Sequence, residues 1–149
     1  MARKTFTRLV ATFFGLGFLP LFPATWASAV AAALGWYIPS PALIYCVFLL
    51  SVAGFSVCRP SQDVFNSKDP KPFVMDEVCG MMLSVLWLPK NVSLYVWAFI
   101  MFRVLDVWKP WPISRIQESK FPSSILWDDL AAGLFTNLVL QAVVRGLRS

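Results

Sequence analysis

The chain has 149 residues, of which 58% are hydrophobic and only 14% are charged. Soluble domains usually carry about 25% charged residues, so this composition excludes a disordered chain and argues against an ordinary soluble globule. The length fits one domain and hardly two, and we expect residues 1–149 to form a single integral-membrane domain. Histidine is absent, which excludes every mechanism that uses a histidine nucleophile, base or metal ligand.

The charged residues are unequal in sign, since 13 lysines and arginines accompany 8 aspartates and glutamates and give a net charge of +5. On a membrane chain this excess is typical of basic cytoplasmic loops and of attraction to anionic lipid headgroups. The basic residues form no stripe interleaved with aromatics, so we expect no nucleic-acid partner. The three cysteines lie in apolar stretches, and neither Cys58 nor Cys79 is followed six positions later by the arginine of a cysteine phosphatase.

Apolar stretches bounded by prolines and charges predict the helices. A basic head, residues 1–8, precedes a long apolar stretch that Pro20 and Pro23 break into two pieces. The predicted helices are Leu9–Leu19, Ala24–Tyr37, Pro41–Val57, Phe73–Leu88, Val92–Trp108 and a last one from about Asp128 to Val144. Together they predict an all-α fold, a polytopic membrane helical bundle of four to five apolar helices with a broken first hydrophobic stretch. A cleaved signal peptide ending at Ala27-Ser28-Ala29 is the alternative for that stretch, but the rest of the chain is membrane-like as well.

The charges of the loops predict an orientation. The head, the polar loop 58–72 and the loop 109–127 hold most of the lysines and arginines, and they fall on one side if Ala24–Tyr37 is the first crossing. The positive-inside bias places this side in the cytoplasm. Arg145 and Arg148 after the last helix break the pattern, so either that helix does not cross fully or the rule is overridden.

Acidic side chains lie inside or at the ends of the apolar helices, where an ionisable group costs at least about 2.5 kcal/mol and is therefore a functional candidate. They are Asp76, Glu77, Asp106, Asp128 and Asp129. The alternative is that such acids sit in the headgroup layer, with Asp128 and Asp129 as N-terminal caps of a helix. The predicted orientation brings all of them to one cytoplasmic edge, which favours a shared site.

Carboxylates gathered without histidine or thiolate suit a hard cation, and Mg²⁺ takes oxygen ligands that it often shares with substrate phosphates. Gly80 and Gly133 lie one turn after acidic residues, and small residues there let helices approach closely. Arg103 and Lys109 accompany the acids and are suited to binding a phosphate. Acids for a metal and cations for an anion at one place indicate phosphoryl transfer. An Arg103–Asp106 pair that only neutralises itself within the bundle is an equal alternative for that pair.

Several strings of the sequence match a known family. The most specific is Phe102-Arg103-Val104-Leu105-Asp106-Val107-Trp108-Lys109-Pro110-Trp111-Pro112-Ile113. The others are Gly15-Leu16-Gly17 with Pro20 and Pro23, Asp69-Pro70, Val74-Met75-Asp76-Glu77-Val78-Cys79-Gly80 and Asp128-Asp129-Leu130-Ala131-Ala132-Gly133. On these strings, which are spread over nearly the whole chain, the sequence resembles the phosphatidylglycerophosphatase A family, small magnesium-dependent membrane enzymes of bacteria.

The resemblance implies hydrolysis of the phosphate monoester of phosphatidylglycerophosphate to phosphatidylglycerol and phosphate, in glycerophospholipid biosynthesis. It implies a multi-pass protein of the bacterial inner membrane whose active site faces the cytoplasm. It does not indicate an oligomeric state. Under it the five acids are the catalytic residues and the Mg²⁺ ligands, or one of them is left free as a general base, while Arg103, Lys109, Thr25 and Ser28 bind the substrate phosphate. Attack on phosphorus by a metal-activated water is the simplest mechanism, and an aspartyl-phosphate intermediate stays open.

One string departs from the family pattern. Where the family usually has Pro-Gly-Thr-x-Gly-Ser, this chain has Pro23-Ala24-Thr25-Trp26-Ala27-Ser28. A loop that needs positive φ or a close backbone approach to phosphate disfavours alanine at these two positions. Two other classes of function stay open: a membrane transporter whose buried acids form an ion pathway, and a structural subunit whose charges pair between helices.

Overall fold

The computed structural model describes residues 2–111, 113–117, 121 and 123–147. All regular secondary structure in these residues is helical, which confirms the all-α prediction. The helices are α1 (Ala2–Ala11), α2 (Pro23–Tyr37), α3 (Ser40–Phe65), α4 (Met75–Ser84), α5 (Val92–Trp108), α6 (Ile113–Gln117) and α7 (Ser124–Gly146), and a 3-10 turn covers Leu16–Phe18.

The short helix α4 lies at the centre of the fold, packed against α2, α3, α5 and α7. Nearly all of its side chains are buried, and Val78, Met81 and Met82 belong to the main hydrophobic core. Two glycines make the closest contact, since a Cβ added to Gly133 of α7 would lie 2.3 Å from the carbonyl oxygen of Gly80 in α4. Because no side chain fits between them, the two backbones touch, and this contact fixes the acidic ends of α4 and α7 relative to each other.

Large apolar side chains cover the outside of the molecule. Tyr45 and Phe48 of α3 are 69% and 65% exposed, and Trp97 and Val107 of α5 are 57% and 73% exposed. Exposed apolar surface of this extent marks contact with a membrane or a partner. Among the described helices, α3 alone is long and apolar enough to cross a bilayer, so the predicted bundle of four to five spans is not confirmed. The candidate span and the apolar exterior together indicate association with a membrane.

Two of the predicted helices have nearly the expected bounds. α5 covers Val92–Trp108 as predicted, and α2 begins one residue early because Pro23 takes the first helical position, where its missing N–H costs nothing. The prediction for Phe73–Leu88 was wrong, since α4 ends at Ser84 and residues 85–87 form a turn. With 10 residues α4 is about 15 Å long, half of a bilayer core of about 30 Å, so it does not cross a membrane by itself.

In the N-terminal half, the bounds of α1 and α3 differ from the predicted ones. The expected helix Leu9–Leu19 was wrong beyond Ala11, where α1 ends, and the basic head is itself helical as part of α1. α3 continues through Pro60 to Phe65, so the first part of the predicted loop 58–72 is helical. The loop before α4 is therefore shorter than the sequence indicated.

The last helix starts earlier than predicted. α7 begins at Ser124, with Ser123 as its N-cap residue. Asp128 and Asp129 therefore lie in the second turn of the helix, and their interpretation as N-terminal caps was wrong. Arg148, which the orientation argument used, lies outside the described residues.

The segment between α1 and α2 holds the loop before α4 in place. After α1 the backbone is left-handed at Phe13, Phe14 and Gly15, with φ of 43°, 58° and 98°. This turn brings Gly17 against the carbonyl oxygen of Pro72, where an added Cβ would lie 2.0 Å away. The close backbone contact fastens the loop that leads into α4 to the segment that leads into α2.

Candidate functional site

Three carboxylates meet where the first turn of α4 faces the second turn of α7. Asp76, Glu77 and Asp129 each offer one carboxylate oxygen, and these oxygens lie within 4.8 Å of one another. Asp76 Oδ1 accepts a hydrogen bond at 3.0 Å from the backbone N–H of Glu77, one of the amides that a helix leaves free in its first turn. Asp76 and Asp129 are buried, with only 5% and 3% of their surface exposed. We call these three residues the carboxylate triad.

Two oxygens of the carboxylate triad have no hydrogen-bond partner among the described residues. They are Glu77 Oε2 and Asp129 Oδ2, and both atoms are buried. A buried carboxylate without a partner is costly, and neighbouring carboxylates repel one another. A divalent cation held by Asp76, Glu77 and Asp129 would remove both costs, and a ligand set made only of oxygens suits a hard cation such as Mg²⁺. The residues present therefore fit a metal ion.

The other two acids are paired with cationic side chains. Arg103 Nη1 donates to Asp106 Oδ2 at 2.6 Å, within α5. Lys109 Nζ donates to Asp128 Oδ2 and so connects the end of α5 to α7. Burial lowers the pKa of Lys109, but the hydrogen bond and the negative charge of Asp128 outweigh it, so this pKa lies above its usual value. These acids are neutralised by the protein itself, unlike the carboxylate triad.

The paired and the unpaired acids nevertheless lie in one cluster. The negative charge of Asp106 acts on both Asp129 and Glu77. Asp128 accepts a hydrogen bond at 3.1 Å through Oδ1 from the backbone N–H of Asp129. The structure thus brings together all five acids selected from the sequence, with the carboxylate triad flanked by two ion pairs.

The end of α5 determines where the ion pairs lie. Phe102 is fully buried, and its ring comes within 2.6 Å of the place where a Cβ on Gly80 would be, so α5 is anchored on α4 at this residue. Arg103 and Asp106 lie three residues apart and therefore share a face of α5. Lys109 ends the helix in left-handed backbone, with φ of 45°. The chain turns out of the helix at this residue, where the lysine side chain reaches α7 rather than continuing along α5.

A pocket of about 340 Å³ opens beside the carboxylate triad. Its lining includes Asp76, Glu77 and Arg103, the first turn of α2, and Lys71 from the loop before α4. It therefore combines carboxylates that suit a cation with an arginine and a lysine that suit a phosphate. Lys109, which the resemblance assigned to the phosphate, is bound to an acid and is not among the lining residues.

The two hydroxyl residues at the start of α2 have different surroundings. Thr25 lines the pocket, whereas Ser28 is fully buried and its hydroxyl donates to the carbonyl oxygen of Ala24 at 2.8 Å. Ser28 is therefore occupied within its own helix and lies outside the pocket lining. The backbone around it is regular helix, and neither Ala24 nor Ala27 has a positive φ. Alanine in place of the glycines of the family pattern is compatible with this backbone.

Lys71 is a pocket residue that sequence reasoning did not select. It was one of several charges in the polar loop 58–72, and no spacing distinguished it from solvated neighbours. The available signal was the string Asp69-Pro70 that directly precedes it, and Asp69 lines the pocket as well.

The comparisons with known proteins agree on one family. The family model described as phosphatidylglycerophosphatase A matches residues 9–144. The chain is 34% identical to phosphatidylglycerophosphatase A of Escherichia coli K12 over 141 residues, which cover 91% of this chain and 81% of that protein. It is 28% identical to phosphatidylglycerophosphatase A of Haemophilus influenzae over 141 residues, which cover 91% of this chain and 86% of that protein.

A third relative has a different name. A Bacteroides thetaiotaomicron protein that is provisionally named a phosphatidylinositol-3-phosphatase is 31% identical over 149 residues, which cover 92% of each chain. No solved structure matches the chain significantly. Because the family model spans most of the sequence and the Escherichia coli relative is similar over most of both chains, this protein belongs to the phosphatidylglycerophosphatase A family.

Proposed function

We propose that this protein hydrolyses the phosphate monoester of phosphatidylglycerophosphate, giving phosphatidylglycerol and inorganic phosphate, and that it requires a divalent cation, with Mg²⁺ preferred. One observation carries the proposal: the carboxylate triad, with two unpartnered oxygens, adjoins a pocket that Arg103 lines. The family supports the substrate class, since two of the relatives are named for this phosphatase activity.

The residues around the pocket would have distinct roles. Asp76, Glu77 and Asp129 would hold the cation, which when bound neutralises phosphoryl oxygens and lowers the pKa of water. Arg103 would bind phosphate oxygens through its planar donors, and its bond to Asp106 limits the positions that the guanidinium adopts. Lys71 adds a second positive charge to the pocket lining.

The ion pair between Lys109 and Asp128 has a positioning role in this proposal. It joins the end of α5 to the turn of α7 that carries Asp129. Phosphoryl transfer depends on placing a phosphate against its cation within a fraction of an ångström. A link that fixes α5 and α7 relative to each other therefore supports the geometry of the pocket without contacting the substrate.

A structural subunit is disfavoured by the same pattern. Charges with a purely structural role are expected in pairs, as they are for Asp106 within α5 and for Asp128 between α5 and α7. The buried oxygens of Glu77 and Asp129 have no such partner in the described part of the chain. Their burial is a cost that a binding role explains and a purely structural role does not.

We further propose a multi-pass arrangement in the bacterial inner membrane, with the pocket open to the cytoplasm. α3 supports one crossing, and the exposed apolar side chains of α5 and α7 support contact with lipid along those helices. The pocket adjoins the loop that carries Lys68 and Lys71, and lysines in short loops favour the cytoplasmic side.

The test is phosphate release by the purified protein from lipid phosphates of known structure. Phosphatidylglycerophosphate, phosphatidylinositol 3-phosphate and phosphatidic acid would be compared in mixed micelles, each with Mg²⁺ and after verified removal of divalent cations. We expect phosphate release from phosphatidylglycerophosphate when Mg²⁺ is present, and no release from it after the divalent cations are removed. A preference for the inositol lipid would reassign the substrate, and release from none of the three lipids would refute the phosphatase activity.

A further inference from the structure

An apolar groove between α2 and α5 is not used by the chemistry proposed above. Its volume is about 410 Å³, within the usual range of ligand pockets. The lining includes Ala29, Ala32, Ala33 and Trp36 of α2, and Val96 and Phe99 of α5. The alanines create the groove, because their small side chains leave space beside the larger side chains of α5.

The groove continues the pocket along the same two helices. Thr25 lines the pocket, and Ala29, four residues later on α2, lines the groove. Arg103 lines the pocket, and Phe99, four residues earlier on α5, lines the groove. Residues four apart lie on the same face of a helix and are about 6 Å apart along its axis. The polar pocket and the apolar groove are therefore consecutive parts of one furrow between α2 and α5.

Polar contacts close the furrow at the end away from the pocket. Lys90 Nζ donates to the carbonyl oxygens of Gly35 and Ile38 at the end of α2, and to Tyr95 Oη at 3.0 Å. The Tyr95 ring packs edge-to-face on Trp36, with 5.1 Å between the ring centroids. These contacts hold α2 and α5 together at this end, so the furrow has a defined length.

We propose that this furrow seats one acyl chain of the lipid substrate while the phosphate of the same molecule lies in the pocket. The inference rests on the proposed function. The furrow is polar at the pocket and apolar along the groove, just as the substrate is polar at its headgroup and apolar along its chains. From Thr25 to Tyr37 it extends over about 18 Å of helix, close to the leaflet thickness of about 15 Å that an acyl chain spans.

Seating the chain orients the substrate rather than attracting it. Lipid tails are as apolar as the groove, so a chain that moves from the bilayer into the groove gains little transfer free energy. A chain fixed between α2 and α5 does hold its headgroup at the end of the furrow where Arg103 lies. Because an error of about 1 Å in placing a reacting group costs up to about 100-fold in rate, this orientation affects turnover.

The test fills the groove and compares substrates of different chain length. Ala33 is exposed, so A33F occupies the groove without displacing the core. Ala142 is exposed on α7 and outside the groove, so A142F is the matched control. For each variant, kcat/KM is measured with dioleoyl and with dihexanoyl phosphatidylglycerophosphate.

We expect A33F to lower the ratio of dioleoyl to dihexanoyl kcat/KM about tenfold, and A142F to keep the wild-type ratio. If A33F keeps the wild-type ratio, even with kcat/KM lowered equally on both substrates, the groove does not bind the acyl chain and the proposal is refuted. Wild-type protein that hydrolyses neither substrate would instead refute the proposed function, so the two failures are distinguishable.

A second measurement needs neither turnover nor a variant. Phosphatidylglycerol with a photoactivatable diazirine near the carbonyl or near the end of one chain is reconstituted with the wild-type protein, and the cross-linked residues are mapped by mass spectrometry. We expect the first probe to label the level of Ala29 and Phe99 and the second to label the level of Trp36 and Val96. Labelling spread over the outer faces of α3 and α7, without this order in depth, would overturn the proposal.

Discussion

Replacing Gly133 by alanine should disable the site through packing alone. The new Cβ would lie 2.3 Å from the carbonyl oxygen of Gly80. Carbon–oxygen contacts in proteins begin at about 3.3 Å, so α4 and α7 must separate by about 1 Å at this point. Overpacking of this kind costs about 1–3 kcal/mol, and the higher helix propensity of alanine offsets about 1 kcal/mol of it. The free energy of unfolding should therefore fall by up to about 2 kcal/mol.

The effect on activity should exceed the effect on stability. The carboxylate triad has members on both α4 and α7, so a separation of the helices pulls its ligand oxygens apart. A displacement of about 1 Å is expected to cost about 100-fold in turnover. Thermal unfolding and phosphate release would be measured on the same detergent-solubilised preparation of G133A.

A control variant distinguishes the effect of the close contact at Gly133 from the general effect of replacing a glycine in α7 by alanine. Gly146 is the last residue of α7, and a Cβ added there would meet nothing within 4 Å. G146A should keep the unfolding free energy within about 0.5 kcal/mol and leave turnover unchanged. Wild-type stability and turnover in G133A would refute the argument, because they would mean that α4 and α7 do not touch at this residue.

Three further predictions address the metal and the orientation. D129N should lose more than about 100-fold in turnover while it still folds, since the amide keeps the shape but not the charge that a cation needs; near-normal phosphate release would remove this residue from the metal site. Mg²⁺ should raise the unfolding temperature of metal-free protein by relieving the repulsion between Asp76 and Glu77, whereas full turnover without divalent cations would exclude a metal mechanism. In a variant without the native cysteines, a cysteine at Ser67 should react only from the cytoplasmic side and one at Asn91 only from the other, and reaction of both from one side would contradict the orientation.

The helices that could be predicted are those whose ends carry a local signal. Pro23 marks the start of α2, and the turn around Asn91 marks the start of α5, where the Asn91 side chain accepts the backbone N–H of Leu94. The end of α4 has no such signal, because Val85 and Leu86 after Ser84 are as buried and apolar as the helix, and the next residue, Trp87, is also apolar although it is exposed. α3 continues through Arg59 past the predicted end, because charged residues are tolerated on its exposed face.

The sequence predicted which charged residues form the site better than it predicted which of them bind to each other. A spacing of three residues on a helix indicated that Arg103 and Asp106 share a face, and the structure joins them. The bond between Lys109 and Asp128 depends on how α5 packs against α7, which no local pattern reveals. The hydroxyl of Ser28 is fully buried and donates to a carbonyl oxygen of its own helix, and the string around it did not distinguish this role from phosphate binding.

The charges of the site explain why a cation and a phosphate would have to bind together. Within the described residues, the only ion pairs are those of Asp106 and Asp128, so three buried or half-buried carboxylates keep no cationic partner. A phosphate monoester that enters the pocket adds further negative charge beside Asp76 and Glu77. The guanidinium of Arg103 already donates to an acid and cannot offset this repulsion alone. Substrate affinity should therefore depend on the divalent cation, because each ligand removes the electrostatic cost of the other.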